Sequence, residues 1–538
     1  MDGSGRDPLG LSRVSDSLTN FLLPAITTTT DRARYYSFYT WVIADIEAIR
    51  QSKGNSTAFE NEFLRRDAAF ALASQLGRTT DLPVVGVRKV DAELASTDED
   101  ENLRTNFRIL PSNGSGGYGQ YYAGCLHTLD LVRSDEEGEL IASPDRGRIL
   151  ANAFASATAR SRYLAEDWRE RSRVPMAVLK QSSKHFSLDA LSSPAAENER
   201  EMLISLFFDL GQKPTATRRL CRQATLGLFL HVLRSCAKAG IEVTRRNVDG
   251  DAIFWPHYFS GIEDGDHEFL PYEPVSAFAE AHAFWRQFCA HQFFAFALEE
   301  FLTGMLHAIS PYPEGLTTAA LLDELASTEF VKDLERVLKA KCATPVALLT
   351  AVGVSKIPDV DSCIGASKRF NGSAKINEWN VCWDKEVAPK TRMGRAFLLL
   401  TILYAKWRGR SDEEALLQVQ DEAGKEIWLG TLFPWLDYWL EAKPTWPQAV
   451  ENLLEWIRVR HDQVKFQKRK LDASWFELAN GRFMKQQDYE PSFRASRHGT
   501  ATTILQDLGL IEHGGLDDPL KLTARGRQVL DEVTLLRS

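Results

Sequence analysis

No two cysteines in this chain are spaced as C-x-x-C. The seven, at 125, 221, 236, 289, 342, 363 and 382, stand alone and are odd in number. That argues against a zinc site built on paired thiolates and against a disulfide scaffold, and it fits a reducing cytoplasm. Long apolar runs are also missing. The longest, near "AFLLLTILYA" at 396–405, is about half of what a bilayer span needs, so no membrane contact is expected. The opening "MDGSGRDPLG" lacks the apolar stretch of a signal peptide. Excess positive charge is absent too: 64 Lys and Arg face 73 Asp and Glu, for a net charge of -9. A whole-chain basic footprint for nucleic acid is therefore excluded, and any basic patch has to be local. Walker A, H-E-x-x-H, G-x-S-x-G and EF-hand patterns do not occur. "PDVDSC", 358–363, supplies the P-D of a metal-dependent nuclease, but no E-x-K follows on a credible strand. No cofactor and no metal are expected.

What is there is apolar and aromatic. The 538 residues are 44% hydrophobic with 13 Trp and 29 Phe, which is too long for one core and enough to fill several. Apolar residues recur at helical spacing through most of the chain. Tyr35, Phe38, Val42, Ile46 and Ile49 follow the Thr27–Thr30 run, which offers N-caps. Residues 276–309 form one long aromatic-rich helical stretch, and 352–378 break the periodicity as a long loop. The expected fold is mainly α, a multi-domain helical protein with two winged-helix-like modules near its ends. The expected division is 1–160, an N-terminal helical domain with a degenerate winged helix at about 105–155; 161–350, a central helical domain; 351–456, a second helical domain; and 457–538, a C-terminal winged-helix domain.

The winged-helix expectation rests on an internal repeat. "YYAGCLHTLDLVRSDEEGELIASPDRGRILANAF", 121–154, aligns without a gap on "TATTILQDLGLIEHGGLDDPLKLTARGRQVLDEV", 500–533. Leu126, Leu129 and Leu131 fall on Leu505, Leu508 and Leu510, and Arg146-Gly147-Arg148 on Arg525-Gly526-Arg527. In each copy a helix ends in Leu-x-Leu, a polar hairpin follows, and Ser143 or Thr523 caps a last helix. The second copy resembles a winged helix in its "DLGLI…LTARG" pattern. The first is degenerate, with Asp130 where Gly509 stands.

The repeat bears on "SNGSGGYGQYY", 112–122, where Gly114, Gly116 and Gly119 spell G-x-G-x-x-G. A dinucleotide loop needs a βαβ unit and an acid about 20 residues on. Glu139 meets the spacing but sits in a charged hairpin. The alignment instead places the glycines opposite "SFRASRH", at the start of a recognition helix.

Cations gather around the second copy: Arg458, Arg460, Lys465, Lys468, Arg469 and Lys470 before it, Arg494, Arg497 and His498 at its recognition helix, and Lys521, Arg525 and Arg527 after the wing. Phosphate contacts dominate DNA affinity, and a recognition helix meets the major groove with its N-terminal end. The alternatives are a solvated helix face or a winged helix that docks protein. Arg32 and Arg34 open a helix, where the dipole disfavours cations; they are either surface arginines or face an anion or acidic partner. Arg286 and His291 spell R-x4-H, which resembles the catalytic motif of the HEPN ribonucleases, and the alternative is two polar residues satisfied within an aromatic helical core.

The opening resembles a bacterial family of phage-defence neighbourhoods, through Leu9-Gly10-Leu11-Ser12, Leu22-Leu23-Pro24-Ala25 and "TTDRARYYSFYTW", 29–41. Ala25 stands where the family has Gly. A winged helix near each end of a helical middle is similar to the kleisin subunits of bacterial SMC complexes. These resemblances imply a non-catalytic DNA-binding and assembly subunit of an anti-phage complex. Its partners would be double-stranded DNA and proteins such as an SMC-like ATPase and a nuclease. An effector ribonuclease is the alternative, and a winged-helix transcriptional regulator the third.

Overall fold

The computed structural model describes residues 7–53, 59–82, 84–97, 101–210, 217–263, 269–410, 427–467, 474–512 and 514–537. The architecture is mainly α-helical with few, short strands. The principal helices are α1 (Ser12–Leu22), α2 (Arg34–Lys53), α3 (Phe59–Leu76), α4 (Ala123–Thr128), α5 (Gly147–Thr158), α6 (Glu197–Phe208), α7 (Thr217–Lys238), α8 (Ala279–Ile309), α9 (Val360–Arg369), α10 (Arg392–Trp407), α11 (Trp446–Gln467), α12 (His498–Asp507) and α13 (Ala524–Arg537). No described helix is long and apolar enough to cross a membrane.

α8 is the axis of the molecule. Its 31 residues are buried on nearly every face, as its run of Phe, Ala and Leu requires. Gly304 lets α10 approach it: a Cβ there would lie 2.4 Å from Met393 Cε. α10 is the apolar run at 396–405, and it is a buried core helix. One hydrophobic cluster of buried residues extends from Leu9 to Val533.

Packing runs across the expected domain divisions. The boundary at 350/351 falls inside the helix Pro345–Val352, and that at 456/457 inside α11. Strand β3 (Leu316–Thr317) pairs antiparallel with β5 (Arg482–Lys485), which also pairs with β4 (Phe476–Ala479), so the central stretch and the C-terminal stretch share one sheet. The long loop expected at 352–378 contains α9. Asp359, read as part of a nuclease-like P-D, caps that helix by accepting from the Ser362 N–H at 2.8 Å, as a short carboxylate at an N-cap does. Phe107 to Leu110, whose apolar ends suggest a short strand ahead of the glycine-rich stretch, form none; the strand nearby is Asn102–Arg104, paired with Arg173–Pro175.

Both copies of the repeat form helix, reversal, strand contact and helix. In the first, α4 leads to strands β1 (Val132–Ser134) and β2 (Leu140–Ala142), paired in the register Val132↔Ala142, and then to α5. In the second, α12 leads to the bridge Ile511↔Leu522 and then α13. The hydrogen bonds match in detail. Leu131 N–H donates to the Leu126 carbonyl and Leu510 N–H to the Leu505 carbonyl, each at 2.9 Å. Asp130 (φ 56) and Gly509 (φ 69) both take the left-handed conformation that reverses the chain. Ser143 Oγ donates to the Asp130 carbonyl at 2.6 Å, and Thr523 Oγ1 to the Gly509 carbonyl at 2.7 Å. The ungapped alignment needs one adjustment: Ser143 lies four residues before Gly147, whereas Thr523 lies three before Gly526.

Candidate functional site

The N-terminal segment with the family-like motif is the hub of the molecule. It is irregular around α1 and between α1 and α2, so its carbonyls cannot pair within helices and need donors from elsewhere. Those donors are long side chains. Arg460 Nε donates to the Leu9 carbonyl at 2.7 Å, His291 Nε2 to that of Leu11 at 2.9 Å, Arg222 to that of Pro24 at 3.3 Å, and Arg497 to that of Ile26 at 3.0 Å. Tyr36 donates its hydroxyl to the Ala25 carbonyl at 2.6 Å. Gly10 turns at φ 69 directly beneath Arg460, where a Cβ would lie 2.8 Å from Nη2. Ala25 makes the tight turn despite its side chain, at φ 67.

Arg32 and Arg34 do face acidic partners, and those partners belong to the same chain. Arg32 is buried between Asp189 (2.8 Å) and Asp507 (3.0 Å), and Asp507 also accepts from the Ala33 N–H. Arg34 clasps Glu199 through both carboxylate oxygens, and its guanidinium lies over the Phe154 ring at 5.3 Å. Asp189 and Glu199 come from 187–199, a stretch that reads as a polar linker. The structure corrects this: two of its carboxylates, Asp189 and Glu199, are counter-charges of the hub, and the stretch includes the short helical turns Asp189–Ser192 and Pro194–Ala196. The Arg34–Glu199 pair is fully enclosed, and burying either of its charges alone is costly.

The N-terminal end of α12 turns into this hub. Arg494 pairs with Glu299 and lies 3.6 Å from Asp7, and its backbone N–H donates to Gln292 at 2.7 Å. Burial pushes the Glu299 carboxyl up to about 7, although Arg494 opposes the shift. Arg497 takes φ 66 and reaches Ile26. His498 packs edge-on against Trp285, ring centroids 4.5 Å apart, and burial lowers its imidazole to about 3. Eight of the ten residues of α12 are buried, and Arg494 and Arg497, which precede it, are directed at a carboxylate and a carbonyl of their own chain.

The other cations divide by position. Arg460 belongs to the hub. Arg458 pairs within α11 with Glu455 and Asp462. Lys465 lies 3.7 Å from Glu477, and Arg525 binds Glu201 of α6. Lys521 is exposed, and Arg527, also exposed, donates to the Leu522 carbonyl at 2.7 Å. Lys468, Arg469 and Lys470 lie outside the described residues.

The glycine-rich stretch wraps a carboxyl group. Asp67, on α3, is fully buried and accepts from Tyr39 Oη at 3.1 Å and Gly117 N–H at 3.4 Å. Gly116 turns at φ 50, and a Cβ there would lie 1.8 Å from Asp67 Oδ2; at Gly117 it would lie 2.2 Å from Tyr39 Oη. The glycines give α3 and α2 room to approach the backbone. An acid beneath the loop repels phosphate, and burial pushes that acid up to about 7.

Arg286 and His291, both on α8, point to different neighbours. His291 reaches Leu11, and burial lowers it to about 4. Arg286 contacts His282 Nε2 at 3.3 Å and the His257 carbonyl at 3.4 Å. A further buried network had no spacing signal in the sequence: Lys406 Nζ binds Glu378 at 3.0 Å, and Tyr258, which also donates to Glu378, accepts from Trp407 Nε1 at 3.3 Å. Its members lie in three segments, so only folding brings them together. Among the described residues, no group of three or more His, Cys, Asp or Glu could hold a metal ion, and all seven cysteines are free and buried.

This arrangement defines a class, a helical protein knit together by internal arginines around two helix–hairpin–helix units. Compared with protein-family models, curated proteins and solved structures, the chain matches none of them.

Proposed function

We propose that the chain is a non-catalytic assembly subunit of a bacterial anti-phage defence complex, working beside an ATPase or nuclease partner. The carrying observation is how the side chains leading into α12 are used: the cations Arg494 and Arg497 are bound to Glu299 and the Ile26 carbonyl, and the neutral His498 packs on Trp285. A winged-helix unit anchored in this way acts as a frame that displays its remaining surface to protein. The family-like opening supports the defence setting, because its motif residues are those that close the hub.

Contact with double-stranded DNA is a subsidiary part of this reading. It rests on the exposed Lys521 and Arg527, with Lys468, Arg469 and Lys470. The hairpin tips carry exposed Glu136 and Glu137, and Asp517 and Asp518, which disfavours a phosphate backbone there. Such contact is weak and falls steeply with salt, by a log–log slope of about -0.9 per phosphate neutralised.

The test is co-purification of the full chain with the products of its neighbouring genes, read by mass photometry, together with duplex binding by fluorescence anisotropy at several salt concentrations. A stoichiometric complex, and duplex affinity lowered by Lys521→Glu with Arg527→Glu, is the expected result. A chain that remains alone and degrades RNA, with the activity lost in His291→Ala, would overturn the reading in favour of an effector ribonuclease.

A further inference from the structure

We infer that the outer face of α9 is a self-association surface, on which a second copy of this chain packs its own α9 in the antiparallel sense. This does not depend on the defence reading. α9 is held to the body of the molecule from one side. Its Cys363 is fully buried, with Sγ accepting from the Gly409 N–H at 3.0 Å. The carbonyl of Phe370, just past its end, accepts from Lys406 Nζ of α10 at 3.1 Å. Away from these anchors, Val360 and Ile364, one turn apart, are 44% and 43% exposed, and Ile357, just before the helix, is 43% exposed.

Exposed aliphatic side chains are ordinary when scattered and informative when they gather. Here three β-branched aliphatics stand within eight residues, 357–364, and Val360 and Ile364 share one helix face. Helix propensity does not account for them, because a β-branched side chain loses rotamer freedom in a helix. Burial against a further apolar surface does account for them.

The charges beside the stripe identify what supplies that surface. α9 is acidic in its first turn, at Asp361, and basic in its last, at Lys368 and Arg369. The neighbouring charges are engaged: Lys356 with Asp359 at 3.9 Å, and Arg369 with the Ala351 carbonyl at 2.9 Å. Asp361 and Lys368 are both exposed. They stand two turns apart, beyond the three- or four-residue spacing at which side chains pair along one helix. A twofold axis passing beside Ile364 brings Asp361 of each copy to the partner's Lys368 and lays the aliphatic stripe on its own image. Antiparallel helices also set opposite dipole ends together. A parallel pairing would put like charges face to face. A twofold contact uses the same patch on both copies and so has to be self-complementary, as this face is. A ten-residue helix makes a small interface, which places the dimer in the weak, transient class.

Sedimentation velocity of the purified full chain, from about 1 to about 100 µM, tests this. A concentration-dependent dimer is expected, and Ile364→Glu should weaken its association at least about tenfold. Asp361→Lys and Lys368→Asp should each weaken it, and the two together should restore it, because the exchanged charges again face each other across the axis. All three positions are exposed, so circular dichroism should show every variant folded. A chain that stays monomeric at about 100 µM would overturn the surface and leave α9 to residues 411–426 of the same chain or to a foreign partner. A dimer indifferent to Ile364→Glu would overturn it as well. Single charge variants without effect, or without recovery in the double variant, would overturn the antiparallel pairing.

Discussion

The two helix–hairpin–helix units share a scaffold and differ in what precedes it. In both, a left-handed residue reverses the chain, a hydroxyl caps the last helix, and a glycine lets that helix touch the reversing strand. A Cβ on Gly147 would lie 2.0 Å from the Leu131 carbonyl, and one on Gly526 2.1 Å from the Leu510 carbonyl. The approaches to the two units differ in what faces a buried carboxyl group: burial pushes both Asp67 and Glu299 up to about 7, but only Glu299 has a cation beside it. The first is led in by glycines folded over a carboxyl group that burial favours as neutral, Asp67. The second is led in by Arg494, whose charge is matched against Glu299. A backbone scaffold this small tolerates either, because its own hydrogen bonds do not depend on the side chains that anchor it.

The comparison can be broken most forcefully at the second approach. Arg494→Met leaves Glu299 buried without its cation and should cost as much as about 5 kcal/mol, read by chemical denaturation; pairing it with Glu299→Met should recover most of that. If the single variant is as stable as wild type, Arg494 does not anchor α12. At the first approach the sign reverses, and Asp67→Asn should stabilise. The folded pKa, about 7, lies above the ordinary 3.8. The penalty for ionisation is therefore absent below pH 3.8, grows as pH rises toward 7 and is complete above it. The gain should be about 4 kcal/mol at pH 8 and vanish near pH 4, and a pH-independent difference would refute the assignment.

Gly147→Ala and Gly526→Ala should each cost about 3 kcal/mol, since neither carbonyl has room to move. Thermal unfolding that spares one and not the other would show that the units are not equivalent. The smallest effects sit at the reversals. Asp130→Gly and Ala25→Gly should each gain about 1 kcal/mol, and Gly509→Ala should lose about as much, because a Cβ is strained at positive φ. Calorimetry on the three variants gives the order directly.

Much of the helical framework was legible in the sequence because it is local. The 276–309 run and the paired Leu-x-Leu steps act within a few residues. The reversal at Asp130 was not legible: opposite Gly509 it read as a sign of degeneracy, yet both residues take positive φ. The site was far less legible. Arg494, Arg497 and His498 read as a cationic surface because sequence shows charge but not what lies opposite it, and Glu299 and Ile26 are about 195 and 471 residues away along the chain. Residues 187–199 read as a linker because polar composition describes a solvated loop and a buried counter-charge equally well.

The amino-acid sequence by itself determined that this is a mainly helical chain without paired cysteines, with a repeated unit near each end and a motif-bearing opening segment. Periodicity, capping and turn chemistry are short-range, and each residue carries them wherever it is placed. Only the tertiary structure decided that the opening segment is the hub, that Arg32 and Arg34 answer Asp189, Asp507 and Glu199, and that the glycine-rich stretch encloses Asp67. Those pairings depend on which distant side chains share a low-dielectric interior, where an unmatched charge is too costly to leave.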